Sequence, residues 1–258
     1  MVVADLHVHT TNSDGTMTLD EVPDAAARAD VDVVAVTDHD RLHPDLRTPV
    51  AHIDGTTVVH GIELRVDAGA ERVDLLGYGA RRTEALTALT EHLQRDRIER
   101  GRAIAERVEN RLGVSLDLEF EAGVGRPHIA RAIDESEADY DYEGAFEHLI
   151  GDDGPCFVAR DVPDFEEGLE VLAESCGIVG LAHPFRYDDP EAALDLTADL
   201  DAVERYYPYG REVDEARLDR AIERHDLLAT GGSDAHGDEL GLAGLDRDAY
   251  RRFRAHMP

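Results

Sequence analysis

Two histidines one residue apart, His7 and His9 in "DLHVHT", run straight into a polar loop, "TNSDG", that carries Asp14. On a strand, residues two apart project from the same face, so these two imidazoles point together from one rigid edge. That is half of a metal site. Near the other end of the chain "GGSDAH" repeats the device with a carboxylate and an imidazole, Asp234 and His236. Between them His39 in "VTDHD", Glu63 in "GIEL" and His183 in "LAHP" also close apolar runs. Taken singly, each has an ordinary reading: a histidine before proline serves as a satisfied core residue, and a glutamate as a buried ion-pair partner. Taken together, His7, His9, Asp14, His39, Glu63, His183, Asp234 and His236 fall at the ends of successive expected strands, and we read them as metal ligands.

The set mixes imidazoles and carboxylates without thiolates, which suits Mn²⁺, Fe²⁺ or Zn²⁺ in a catalytic role rather than a structural zinc finger. Manganese is the first choice. There are more ligands than one ion needs, and carboxylates can bridge. Two or three divalent ions about 3.5–4 Å apart would clamp phosphoryl oxygens and activate water. The expected chemistry is phosphoester hydrolysis by a metal-bound hydroxide. Ser13 then reads as a turn residue and not a nucleophile, since Asn, Ser, Asp and Gly favour a tight loop that swings Asp14 inward.

The elements that must position these residues are short apolar segments: "VVADLHVHT", "VDVVAVTDHD", "TTVVHGIELRV", "ERVDLLGYG", "GIVGLAHP", "LDAVERYYP" and "LLATGGSDAH". Continuous apolar runs of this length fit buried parallel strands, and helical patterns lie between several of them. Thr18 with Glu21 forms a capping box for a first helix, and Asp189 before Pro190 marks the start of another. The alternation predicts an α/β barrel. Residues 83–112 break the rhythm as a long charged amphipathic helix, followed by shorter helices over 127–150. The expected organisation is therefore a barrel made of 1–82 and 156–258 with a helical insertion at 83–155.

Composition narrows the setting. The chain of 258 residues has 57 acidic residues against 26 basic ones, a formal charge of −31, and every basic residue is arginine. Such self-repulsion strains a compact fold unless salt screens it; at about 1 M salt the Debye length is about 3 Å. We infer a salt-adapted, cytoplasmic protein. The hydrophobic fraction of 42% in patterned runs excludes a disordered acidic chain. The acidity argues against an electrostatic grip on long duplex nucleic acid, which needs clustered cations. Neither a secretion leader nor an apolar run of membrane-spanning length is expected. Cys156 and Cys176 match no metal or redox spacing and read as buried thiols.

"DLHVHTTNSDG", "VTDHD", "GIEL", "GRPHIAR", "LAHP" and "GGSDAH", in this order, closely resemble the PHP family, named for its polymerase and histidinol phosphatase members. The likeness covers residues 1–79, 123–187 and 200–245. It implies a distorted (β/α)7 barrel with a di- or trinuclear metal centre. "GRPHIARA" followed by "AFEHLIGDDGPCFV" is similar to the branch holding nucleoside 3′,5′-bisphosphate phosphatases and 5′-to-3′ exoribonucleases, which carries a helical insertion. By the same resemblance His128 joins the ligands. His7, His9, Glu63 and Asp234 would hold one ion; Glu63, His128 and His183 a second; Asp14, His39 and His236 a third.

A phosphate substrate also needs cationic donors, and a guanidinium can grip phosphate bidentately. Arg126 and Arg131 flank His128 and are the candidate donors; a surface ion pair is the competing reading. Arg186 is a further, weaker candidate. Asp5 and Asp38, beside ligands, either accept from imidazoles or cap local structure. His60 matches no ligand position, and Arg65 stands where relatives are expected to carry a small polar residue. The remaining histidines, among them His43 and His52, read as helix or loop residues. The expected substrate is a small phosphorylated molecule, a nucleotide or short RNA. The alternatives are histidinol phosphate as substrate, or a noncatalytic metal-stabilised interaction module.

Overall fold

A computed structural model describes residues 1–257; Pro258, the last residue of the expected barrel segment, lies outside them. The chain divides into two compact units, Met1–Thr90 with Val162–Pro258, and Glu91–Asp161. Eight strands are present among the described residues: β1 (Ala4–Val8), β2 (Val33–Val36), β3 (Val50–Ile53), β4 (Thr56–Asp67), β5 (Arg72–Tyr78), β6 (Ile178–Leu181), β7 (Ala202–Tyr206) and β8 (Leu228–Gly231). The helices are α1 (Val22–Ala29), α2 (Glu84–Leu112), α3 (Arg126–Asp134), α4 (Tyr142–Ala145), α5 (Phe165–Ser175), α6 (Pro190–Asp195), α7 (Glu215–His225) and α8 (Arg247–Arg254).

All seven apolar segments read as strands are strands, in the spatial order β1-β2-β4-β5-β6-β7-β8. The sheet curls into a half-barrel, and a parallel bridge from Val8 to Ala235 ties the segment after β8 back to β1. Two features depart from a strictly parallel barrel. The chain turns straight from β4 into β5, so β5 runs antiparallel to β4 and to β6. The short strand β3, not foreseen, pairs antiparallel with the outer side of β4 and carries His52, which is therefore a strand residue.

Local chemistry sets the helix starts as expected. The Glu21 carboxylate accepts from the Thr18 N–H at 2.8 Å at the entry to α1, and the Asp189 carboxylate accepts from the N–H groups of Glu191 and Ala192 at 3.1 Å. One core layer gathers Leu6, Ala35, Val59, Leu76 and Tyr78 with Phe253 of α8, and the Tyr78 and Phe253 rings meet edge-on at 5.2 Å. Fully burying side chains of this size stabilises by about 1.5–3 kcal/mol each. A second layer packs α1, through Val22, Ala25 and Ala26, on Val34, Val36 and Val58. These two layers fix the strand ends on which the histidines sit.

In the helical unit Ile104 and Val108 of α2 pack on Ile129 and Ile133 of α3 and on Leu149, Ile150 and Cys156. Cys156 is buried and Cys176 partly so; both are free thiols, and burial pushes the Cys176 thiol up to about 12.

Candidate metal centre

The barrel unit brings seven of the sequence-designated residues into three overlapping groups. His9, Asp14, His39 and His236 form one, and His7, His9 and Glu63 another; within each group the potential ligand atoms lie within 4.8 Å of one another. A third joins Glu63 and His183 to Asp74, which the sequence reading had passed over. Asp234 sits among them, with Oδ1 3.4 Å from His7 Nε2 and 3.1 Å from His9 Nε2. Glu63 is central: its carboxylate lies 3.0 Å from His183 Nε2, 2.9 Å from His39 Nδ1 and 3.3 Å from His9 Nε2.

The backbone is arranged for this convergence. His183 and Asp234 both adopt positive φ, 26° and 51°, which a non-glycine residue holds only where the surroundings impose it. Gly232 passes so close to the His7 backbone that any Cβ there would collide with it. The result is a set of buried polar atoms without a partner in hydrogen-bond geometry, His7 Nε2, His9 Nδ1 and Nε2, and Glu63 Oε2. Buried polar atoms are almost always satisfied, and ring nitrogens aimed at carboxylates without hydrogen-bond geometry fit a group that accepts lone pairs from both. The residues present therefore fit a divalent cation centre.

Electrostatics agree. Burial opposes charge on His7 and His9, but carboxylates more than offset it: Glu204, Glu63 and Asp234 hold His7 well above its ordinary value, and Asp234 and Glu63 raise His9 to about 10. Reciprocally, burial would raise Asp14, Glu63 and Asp234, yet the neighbouring imidazoles hold all three far below the usual carboxylate range.

Two residues that complete the site were missed from sequence. Glu204 is fully buried in β7; His7 Nδ1 lies 3.1 Å from its Oε1, and its Oε2 accepts from the His183 N–H at 2.7 Å. A carboxylate on the second ring nitrogen fixes which nitrogen of His7 faces the centre. Its signal was an acid inside the apolar run "AVERY". Asp74 is likewise an acid inside "VDLL", gripped at both oxygens by Arg65, with Nε 2.7 Å from Oδ1. Because β5 runs backwards, its beginning lies beside the carboxyl ends of the parallel strands, where an end-of-strand rule does not look.

Asp5 and Asp38 serve loops and not imidazoles. Asp5 accepts from Ser233 and from the Gly241 N–H, and Asp38 from Thr10, Asn12 and Ser13. His60 is buried in β4 and kept neutral, since burial together with Arg82 and His43 lowers it to about 3. Arg186 donates to Asp234 Oδ2 at 3.0 Å and to the Tyr207 hydroxyl at 3.0 Å, and Tyr207 donates to the same Asp234 oxygen at 2.8 Å. His128 stands in the first turn of α3, its Nδ1 accepting from the Gly125 N–H at 3.2 Å. Arg126 contacts Asp152 at 2.6 Å and lies over the rings of Phe146 and Phe157, and Arg131 is half-buried in α3.

A half-barrel of this kind, with imidazoles and carboxylates converging at its strand ends, defines a metal-dependent hydrolase. The model of the PHP domain matches residues 5–169, and the chain belongs to that family. It is a phosphoesterase, a hydrolase of phosphate esters. The chain is 31% identical to a phosphoribosyl 1,2-cyclic phosphate 1,2-diphosphodiesterase of Eggerthella lenta, over 92% of its own length and 95% of the relative's. It is 27% identical to a 3′,5′-nucleoside bisphosphate phosphatase of Chromobacterium violaceum, covering 100% and 98%, and 28% identical to a 5′-3′ exoribonuclease of Salmonella typhimurium, covering 91% and 85%. Among solved structures, an amidohydrolase from Chromobacterium violaceum superposes with a TM-score of 0.79 at 24% identity, covering 98% of this chain and 96% of that one.

Proposed function

We propose that the protein removes a phosphate from a nucleoside 3′,5′-bisphosphate, using two or three divalent ions, manganese foremost, held at the carboxyl ends of the barrel strands. The observation that carries the metal reading is the sharing of His9 and Glu63 between ligand groups, which suits adjacent ions bridged by a carboxylate. The substrate is favoured by the end-to-end match with the Chromobacterium bisphosphate phosphatase. In this reading His7, His9, Glu63 and Asp234 hold one ion, Glu63 and His183 with Asp74 a second, and Asp14, His39 and His236 a third. His128, which the family resemblance adds to the second ion, lies outside these three groups.

Bound there, the ions would supply Lewis acidity toward the phosphoryl oxygens and acidify a water. The chain supplies the rest. Glu204 keeps the His7 Nδ1 proton engaged, so Nε2 stays a lone-pair donor. Arg186 and Tyr207 brace Asp234, and the Arg186 side chain, 54% exposed, is placed to meet a phosphate oxygen. In this reading Arg186 takes the role that the sequence had suggested for Arg126 and Arg131. The acidic exterior fits a salt-rich cytoplasm and disfavours long duplex nucleic acid.

The test is hydrolysis in high salt with Mn²⁺ of four substrates in parallel: adenosine 3′,5′-bisphosphate, phosphoribosyl 1,2-cyclic phosphate, a short 5′-phosphorylated RNA and histidinol phosphate. Fast phosphate release from the bisphosphate, abolished in Asp234→Ala, supports the reading. Preference for any of the other three reassigns the substrate, and tight metal binding without turnover of any favours the noncatalytic module.

A further inference from the structure

The barrel unit exposes very little large apolar surface, and what it exposes is concentrated. Among the described residues the exposed large hydrophobic side chains are Met1, Tyr206 at 40% and Leu242 at 64%. Tyr206 and Leu242 line one cleft of about 300 Å³, together with Phe185, Tyr207, Tyr209 and Leu218. Two of the three exposed large hydrophobic side chains thus share one cleft with further aromatic rings, a lining suited to a ligand with a flat apolar face.

The cleft is continuous with the metal ligands through one residue. Tyr207 forms its wall, donates to Asp234 Oδ2 at 2.8 Å and sets its ring edge-on to the His183 ring at 5.5 Å. Tyr209 follows at 4.7 Å from Tyr207, and Phe185 meets Tyr209 edge-on at 5.5 Å. Arg205 is neutralised by Asp219 at 2.7 Å and Glu215 at 2.9 Å and lies 5.4 Å from the centre of the Tyr206 ring, which it holds in place. Three tyrosines and a phenylalanine thus run outward from the carboxylate that Arg186 braces. The chain has 14 such aromatic residues in all, its 8 tyrosines and 6 phenylalanines, so four of them in one wall is a concentration.

We propose that this cleft takes the heterocyclic base of a nucleotide whose phosphate lies at the metal ligands; the proposal rests on the phosphoesterase reading of that site. Its volume of about 300 Å³ stands at the low end of small-molecule pockets and is enough for one ring system. Aromatic faces beside a phosphate site suit a base because every base offers a flat π-face, and stacking tolerates any sequence. A sugar phosphate without a base, such as ribose 5-phosphate, has no flat ring to set against Tyr206 and Leu242.

Binding measured without turnover tests this. Equilibrium dialysis of the metal-loaded protein in high salt would compare adenosine 5′-monophosphate with ribose 5-phosphate, which lacks the base. The wild type should bind the nucleotide about tenfold or more tightly than the sugar phosphate, the range that stacking of one base supplies. Tyr206→Ser and, independently, Leu242→Ser should each erode that preference, with ribose 5-phosphate binding and metal content unchanged; both side chains are exposed, so the fold does not depend on them. With the bisphosphate as substrate the same variants should raise KM and leave kcat. Equal wild-type affinity for the two ligands, or equal weakening of both by the variants, overturns the proposal. Absence of hydrolysis strikes only the phosphatase reading, because the base preference is read from binding alone.

Discussion

Glu204→Gln is the sharpest test of how the site is built, because the change removes charge while keeping volume. Both carboxylate oxygens are engaged, one by His7 Nδ1 at 3.1 Å and the other by the His183 N–H at 2.7 Å, in a fully buried setting. Glutamine offers one acceptor and one donor, so one of the two N–H groups is left facing an NH₂. Losing a charge-assisted hydrogen bond costs about 1.5–3 kcal/mol. Outer partners of metal-binding histidines are worth about 10–100-fold in metal affinity, or about 1.4–2.8 kcal/mol. The two figures agree. One effect opposes them: Glu204 also helps to retain the His7 proton, so its removal eases metal entry near neutral pH. Titration calorimetry with Mn²⁺ at pH 8 and 9, backed by metal analysis after dialysis, should show affinity down by about tenfold or more, with the larger loss at pH 9. A glutamine variant that binds Mn²⁺ within twofold of wild type at both values would refute the assignment of Glu204 as the residue that orients His7.

Other consequences can be checked with simple assays. Arg186→Ala should lower kcat/KM for a phosphate substrate by about tenfold or more, with melting lowered only modestly because His7 and His9 still face the buried Asp234 carboxylate; an unchanged kcat/KM would remove Arg186 from phosphate binding. In EDTA, His9, raised from 6.5 to about 10 by Asp234 and Glu63 against the opposing effect of burial, stabilises the metal-free fold through its protonated form. That contribution is fully present below pH 6.5 and is lost as pH rises through about 10, so the melting temperature followed by circular dichroism should fall across this window; a flat profile would show that His9 is not held protonated. Because the formal charge is −31, melting temperature should climb steadily as KCl is raised from about 0.1 to about 2 M; a flat response would overturn the inference of salt adaptation.

The residues that cluster at the candidate metal centre were legible where two regularities coincide. His7, His9, Asp234 and His236 declare themselves by period-two spacing at the ends of apolar runs, and Glu63 and His183 by closing such runs. These signals hold because a parallel strand leaves its carboxyl end free to carry a side chain into the site. Asp74 escaped because β5 is antiparallel, so a residue near its start occupies the place that an end residue has elsewhere. Glu204 escaped because an acid beside Arg205 in "VERYY" looks like half of an ordinary ion pair. Arg205 does make such pairs, but with Asp219 and Glu215, while Glu204 turns inward to His7. Asp5 and Asp38 showed the converse. Adjacency in sequence suggested partners for imidazoles, yet their oxygens hold the loops that follow β8 and β1.

Residue type and spacing alone marked seven of the eight strands, most of the residues that could bind a cation, and phosphoester chemistry as suited to their types. Those properties are local: they depend on residue type and on spacings of two to four positions, which strand and helix geometry translate directly into direction. Which carboxylate meets which imidazole was decided only by the tertiary structure. His7 and Glu204 lie 197 residues apart, and His183 and Glu63 lie 120 apart. Their meeting depends on strand order, on the reversal of β5 and on the bridge that returns the end of the sheet to β1, and those arise from packing of the whole core and not from any one stretch of chain.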